Sequence, residues 1–166
     1  MGMSDYLRKV RNKVGHDLLV LPSAAVALLD DHMRLLVCMH ADNNRWVLPG
    51  GLIEPAEHPA DGAIREVWEE TGLLVELTGI VGVYGGPELV IHYPNGDMAS
   101  YVGTIFRGRI IGGHLRPDGQ EILEVRYFTR EELRAAPHSK WMDTAMPVLC
   151  EPGATPHFKP HSWQPE

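Results

Sequence analysis

Three glutamates in this chain are spaced to act as one group. Glu66, Glu69 and Glu70 stand at i, i+3 and i+4, so on a helix they share one face. Like charges at that spacing repel by about 0.2–0.5 kcal/mol per pair. A helix that needed only solubility would gain more from alternating signs. A divalent cation removes the conflict, because Mg²⁺ takes hard oxygen donors and is held by a few carboxylates together with substrate phosphates. Arg65, four residues before Glu69 and eight after Glu57, is a natural counter-ion that ties the Glu57 loop to the helix. The Gly50-Gly51 pair lets backbone come close, which makes the Gly51 carbonyl a further candidate ligand.

The elements that must position these groups can be read on either side. Pro59 suits a helix start, and Asp61 to Thr71 are good helix formers. Ala60, Ala63, Ile64, Val67 and Trp68 form the expected buried side, and Gly72 falls just past the end. Upstream, the apolar runs Leu18–Leu29 and Arg34–His40 read as two strands of a hairpin around Asp30-Asp31-His32. Downstream, Leu73–Tyr84 is β-like. Glu88–Tyr93 and Met98–Arg109 flank Asn95-Gly96, a hairpin signal, and 112–119 reads as a loop. Ile122–Phe128 alternates as a strand, and Thr129 with Glu132 has capping-box spacing for a following helix. Lys140–Leu149 predicts a last helix, and Ser4–Val14 a short amphipathic one at the start. The order is α, ββ, α, several β, αα, an α+β chain with helices on a mixed sheet.

Bulk properties narrow the function classes. A length of 166 residues suits one domain, and 44% hydrophobic residues suffice for a core. The formal charge of −7, without a basic stripe beyond the short run Arg8–Lys13, argues against a nucleic-acid polymer as partner. A small anion still fits, since carboxylates reach phosphate through a cation. Two distant cysteines, Cys38 and Cys150, make no disulfide framework and point to a reducing, cytoplasmic setting. No apolar run has membrane-spanning length, and the first residues lack a signal region. The nine histidines show no metal-ligand spacing. The prolines at 152, 156, 160 and 165 mark residues 151–166 as a tail, loosely ordered or docked on a partner, and this tail and the N-terminal segment leave room for a homodimer.

A glutamate-rich helix face by itself is usually just solvated. The wider pattern is more demanding. Gly51-x5-Glu57-x7-Arg65-Glu66-Val67-x-Glu69-Glu70-x-Gly72-Leu73 resembles the complete Nudix box, with no departure at its defining positions. Trp46-Val47-Leu48-Pro49-Gly50 resembles the family's lead-in. This resemblance implies an α/β/α sandwich with a mixed β-sheet between helices, a single hydrolase domain over residues 1–150. It implies Mg²⁺ or Mn²⁺ on Glu66, Glu69 and Glu70, with Glu57 and Arg65 in support. It also implies hydrolysis of a pyrophosphate bond in a small nucleotide-type substrate, a nucleoside diphosphate linked to another moiety such as ADP-ribose or a nucleotide sugar. Two alternatives stay open. One is a house-cleaning nucleoside triphosphate pyrophosphatase, and the other a non-catalytic ligand sensor, although such members often lose box glutamates that are all present here. The general base is Glu70 itself or a glutamate outside the box, Glu121 or Glu124. Trp46, Tyr84, Glu88, His92, Tyr93 and Tyr101 are candidates for the substrate side. Pro87, fifteen residues past Gly72, resembles a proline of ADP-ribose-cleaving members.

Overall fold

The structure, a computed structural model, describes residues 4–165. Helix α1 (Asp5–Val14) leads into β1 (Leu19–Leu28), β2 (Leu35–His40), β3 (Arg45–Val47) and β4 (Gly50–Leu52). Helix α2 (Pro59–Thr71), the long strand β5 (Leu73–Tyr84), a 3-10 turn at Pro87–Leu89 and β6 (Val90–His92) follow. The chain then runs through β7 (Met98–Gly113), β8 (Ile122–Phe128), α3 (Arg130–Ala135) and α4 (Trp141–Leu149).

Two sheets result. The larger has the order β4-β1-β7-β5 with β6 added on β7; the smaller is β3-β2-β8. Strands β1 and β7 run parallel while the other pairs are antiparallel, so the larger sheet is mixed. The expected hairpin of the first two strands does not form. β1 and β2 belong to different sheets and are joined by an isolated Leu29–Leu35 bridge. The Asp30 Oδ1 accepts the N–H groups of both His32 and Arg34 and shapes the turn between the two strands. β7 also runs on through 112 and 113, where a loop was expected, since Gly112 and Gly113 still pair with Leu74 and Leu73.

β2 serves two cores at once. Leu35 and Val37 pack with Trp46, Phe128, Leu133 and the α4 residues Met142, Ala145, Met146 and Leu149. Leu36 points the other way, to Ala24, Val26, Leu28, Leu73, Val75 and the α2 residues Ala63 and Val67. Strands buried on both faces read as unbroken apolar runs, as Leu35–Cys38 does. The two clusters hold α2 and α4 against opposite sides of the sheets.

Helix α2 is bounded by local chemistry. Pro59 opens it, and Gly72 closes it at φ 70°, donating its N–H to the Trp68 carbonyl. Ala63 and Val67, at i and i+4, face the core. Trp68 lies one residue further round and is half exposed, not part of the buried side. At the other end of the chain the tail docks on the edge of β5. His157 donates its N–H to the Val81 carbonyl (2.8 Å), accepts from Val83 (3.0 Å) and stacks on Tyr84.

A carboxylate-lined candidate active site

The site begins where β4 passes the helix. Gly50 sits at φ 151°, and a Cβ there would lie 2.3 Å from the Ala24 carbonyl oxygen of β1. Only glycine lets the two strands approach this closely. That approach lets the Gly50 N–H donate to Glu70 Oε2 at 2.9 Å. A Cβ on Gly51 would meet the Glu66 carboxylate at 2.7 Å, so the backbone of residue 51 lies directly against that side chain.

Arg65 organises the rest of the helix face. Its Nε and Nη2 donate to the two carboxylate oxygens of Glu57 at 2.8 and 3.0 Å, a forked pair. Nη2 also reaches the Leu52 carbonyl, and Nη1 donates to Glu66 (2.8 Å) and Glu69 (3.1 Å). Glu57 in turn accepts the Glu54 N–H. The loop is therefore tied to the helix as the sequence spacing predicted. Arg65 holds the Glu57 carboxyl below its ordinary range, outweighing partial burial. Glu66 moves the other way. Burial raises it, Arg65 opposes, and the charges of Glu69 and Glu121 add to the rise. Glu70 is pushed well above the carboxylate range by burial, opposed by the Gly50 hydrogen bond and reinforced by Glu66, Glu121 and Asp118.

The opposite wall is the loop before β8. Asp118 Oδ1 accepts the N–H groups of Gln120, Glu121 and Ile122 at 3.0, 3.1 and 2.8 Å, which folds residues 118–122 into a tight turn. Ile122 is fully buried and anchors it. Together Glu66, Glu69, Glu70, Asp118, Gln120 and Glu121 line one cleft of about 260 Å³. Glu121 lies 3.6 Å from His40 Nε2, and partners including His40 keep its carboxyl below the ordinary range against the effect of burial.

The donor set suits a hard cation: five carboxylates on one cleft, two of them driven up by burial and by each other, with Arg65 between Glu57, Glu66 and Glu69. Among the described residues no three acidic, histidine or cysteine groups are drawn in as around an ion. Arg65 engages Glu66 and Glu69, and Glu70 turns to the Gly50 amide.

The remaining candidates distribute differently. Trp46 packs on Phe128 at 4.8 Å, and Tyr84 packs between Trp141 and His157; both are core residues and neither lines the cleft. Aromatic residues on strands fill cores, and a strand's period alone does not say which layer lies above it. Glu88 is exposed on the 3-10 turn that Pro87 opens, His92 is exposed on β6, and Glu124 is an exposed β8 residue paired with Arg126. Tyr93 and Tyr101 hydrogen-bond through their hydroxyls, part-buried and within electrostatic range of Glu121. Sequence reasoning missed Asp118, Gln120 and His40. Asp118 before Gly119 is a turn signal, but nothing local places that turn opposite α2.

A mixed sheet with helices on both sides, and an acidic helix facing an acidic loop, is an arrangement shared with known proteins. The fold resembles that of the MutT protein from Methanosarcina mazei Go1, with a TM-score of 0.67, 19% identity, and coverage of 80% of this chain and 94% of that one. In sequence, the chain is 33% identical over 139 residues to a MutT-like protein of Streptomyces ambofaciens, covering 84% of this chain and 82% of the relative. It is 30% identical over 129 residues to the ADP-ribose pyrophosphatase of Methanocaldococcus jannaschii, covering 75% and 72%. The NUDIX domain model matches residues 20–149, and the chain belongs to the Nudix hydrolase family.

Proposed function

We propose that this protein hydrolyses the pyrophosphate bond of a nucleoside diphosphate linked to another moiety, ADP-ribose or a nucleotide sugar, with Mg²⁺ or Mn²⁺. The observation that carries this reading is the cleft: Glu66, Glu69, Glu70, Asp118 and Glu121 on facing walls repel a bare phosphate and accept one that arrives with a divalent cation. The similarity to an ADP-ribose pyrophosphatase over three quarters of the chain supports the diphosphate-linked substrate class.

Glu66, Glu69 and Glu70 would hold the cation, with the Gly51 backbone beside Glu66. A divalent ion held there would supply neutralisation of phosphate charge and a more acidic bound water. Arg65 and Glu57 fix the helix face against the β4 loop. Glu121, from the other wall, takes the proton of the water that attacks phosphorus in line. The two carboxyls sit in opposite settings: burial raises that of Glu70, which suits a cation beside it, whereas partners that include His40 lower that of Glu121 against the effect of burial.

The test is a Mg²⁺-dependent hydrolysis panel with product identification, covering ADP-ribose, nucleotide sugars, dinucleoside polyphosphates and canonical and oxidised triphosphates. AMP plus ribose phosphate from ADP-ribose is the expected result. Pyrophosphate released from a triphosphate would replace this reading with a house-cleaning one, and tight binding without turnover would make the protein a sensor.

A further inference from the structure

His40 stands at the end of β2, where the strand's pairing with β8 is irregular. The register runs from Met39↔Glu124 directly to His40↔Ile122 and skips Leu123. Such bulges re-aim side chains and are frequent beside active sites. Here the bulge brings His40 one residue nearer to Glu121, and the next N–H, that of Ala41, donates to the Glu121 carbonyl at 2.8 Å. The backbone of the cleft loop is thereby clamped to β2.

The imidazole is oriented too. The Asp42 N–H donates to His40 Nδ1 at 3.2 Å, so Nδ1 is an acceptor and the ring proton of the neutral form sits on Nε2. Nε2 faces Glu121 Oε1 at 3.6 Å. The side chain is mostly buried, so this orientation is not a transient of an exposed ring. Other ionisable groups surround the pair. Asp42 lies 3.9 Å from the ring. Glu66 and Glu70 face Glu121 from α2, Tyr93 and Tyr101 from the β6–β7 hairpin, and Asp118 belongs to its own loop. His40 is a basic side chain set against Glu121 among these acidic neighbours.

We infer that His40 is a positioning residue for Glu121, its Nε2–H fixing the carboxylate against the cleft for proton abstraction. This rests on the reading of Glu121 as the general base. The cleft is lined by Glu121 and not by His40, so His40 acts through Glu121. A histidine in this place also makes the loop sensitive to the state of β2, because the bulge, the Ala41 clamp and the Nε2 contact all depend on the same strand end.

The experiment combines two readouts on H40A, H40Q, E121Q and the double variant H40A/E121Q. The first is a ¹³C NMR titration of the Glu121 carboxyl in metal-free protein, which needs no turnover. The second is the pH profile of kcat and KM with Mg²⁺ and the best substrate of the panel. In H40A the Glu121 titration and the acidic limb of kcat are expected to move up together by about one pH unit, since loss of a positive or donating neighbour raises a carboxyl. On the neutral plateau kcat falls about tenfold with KM unchanged, as for a displaced general base. H40Q, whose amide N–H reaches toward the same oxygen, recovers most of both. In the E121Q background, H40A does no further harm. An unmoved titration and limb in H40A, or losses that multiply in the double variant, overturn the inference while leaving Glu121 as base. Full activity of E121Q overturns the base assignment and the inference with it.

Discussion

Removing Arg65 probes the site at its most connected point. The guanidinium makes five hydrogen bonds, four to the carboxylates of Glu57, Glu66 and Glu69 and one to the Leu52 carbonyl. Breaking a fully buried pair by deleting one partner costs about 3–5 kcal/mol. Arg65 is 27% exposed, so water compensates in part, and R65A is expected to lose about 2–3 kcal/mol. For a chain of this size that is roughly 5–10 °C in Tm. The loss should depend on pH with a definite sign. Arg65 depresses the folded-state value of Glu57. The stability this contributes is fully present above the unfolded carboxylate value of about 4.3 and disappears as pH falls through the lower folded value. Urea unfolding of metal-free wild type and R65A at pH 7 and pH 3.5 measures both. The gap is expected to be wide at pH 7 and to shrink at pH 3.5. R65K, a point charge without the fork, should recover less than half of it. A gap below about 0.5 kcal/mol at pH 7, the size of an ordinary surface pair, or a gap equal at the two pH values, would refute the reasoning.

The helix carboxylates, the tail and α1 yield further expectations. Because burial and neighbouring charges raise Glu70, the metal-free protein should lose stability as pH climbs from about 4.3 through the higher folded value. E70Q should flatten that slope, keep the Gly50 hydrogen bond through its amide oxygen, and lower kcat on the order of a thousandfold by losing several kcal/mol of charge stabilisation; a metal-free E70Q less stable than wild type at pH 8 contradicts this. Mg²⁺ at a hundred times its Kd should stabilise wild type by about 2.7 kcal/mol in thermal unfolding, and E66Q should abolish the effect. Truncation after Glu151 removes the His157 carbonyl that accepts the Val83 N–H, and exchange of that amide should accelerate at least about tenfold; an unchanged rate means the tail is not docked in solution. Arg11 is buried and donates to the carbonyls of Gly15, Asp17 and Met98, so R11M should free α1 from the sheet, seen as faster exchange across residues 7–14 while the α2 amides stay protected.

How much of this was visible in the sequence follows from the range of each interaction. The helix face, the Arg65–Glu57 tie and the Gly72 stop depend on residues at most twenty positions apart, and all could be derived from spacing. The capping box at Thr129 and Glu132 formed as expected, with both reciprocal hydrogen bonds present. The hairpin expected of β1 and β2 failed because sheet membership is not local: the Asp30 turn looks the same whether the next strand pairs back or crosses to another sheet. The aromatic residues show the same limit. Trp46 and Tyr84 have the right chemistry to stack on a base, but α4 and the tail cover them, and both arrive from more than fifty residues downstream.

The two walls of the cleft are built by different means, and β2 joins them. The α2 wall is a rigid helix whose groups are fixed relative to one another by 3.6-residue geometry and by one arginine. The loop wall has no such periodicity and takes its shape from the Asp118 turn and the buried Ile122. A loop of that kind holds a catalytic group in register with the helix only if something rigid connects them. β2 does so, with Leu36 packed against the α2 core and Leu35 and Val37 in the other, and with its last residue, His40, beside Glu121. Displacing β2 by even an ångström would move Glu121, the proposed base, relative to the helix carboxylates, and a misplacement of that size can cost about a hundredfold in rate. The unbroken apolar run Leu35–Cys38 is therefore as much a part of the site's geometry as the glutamates are.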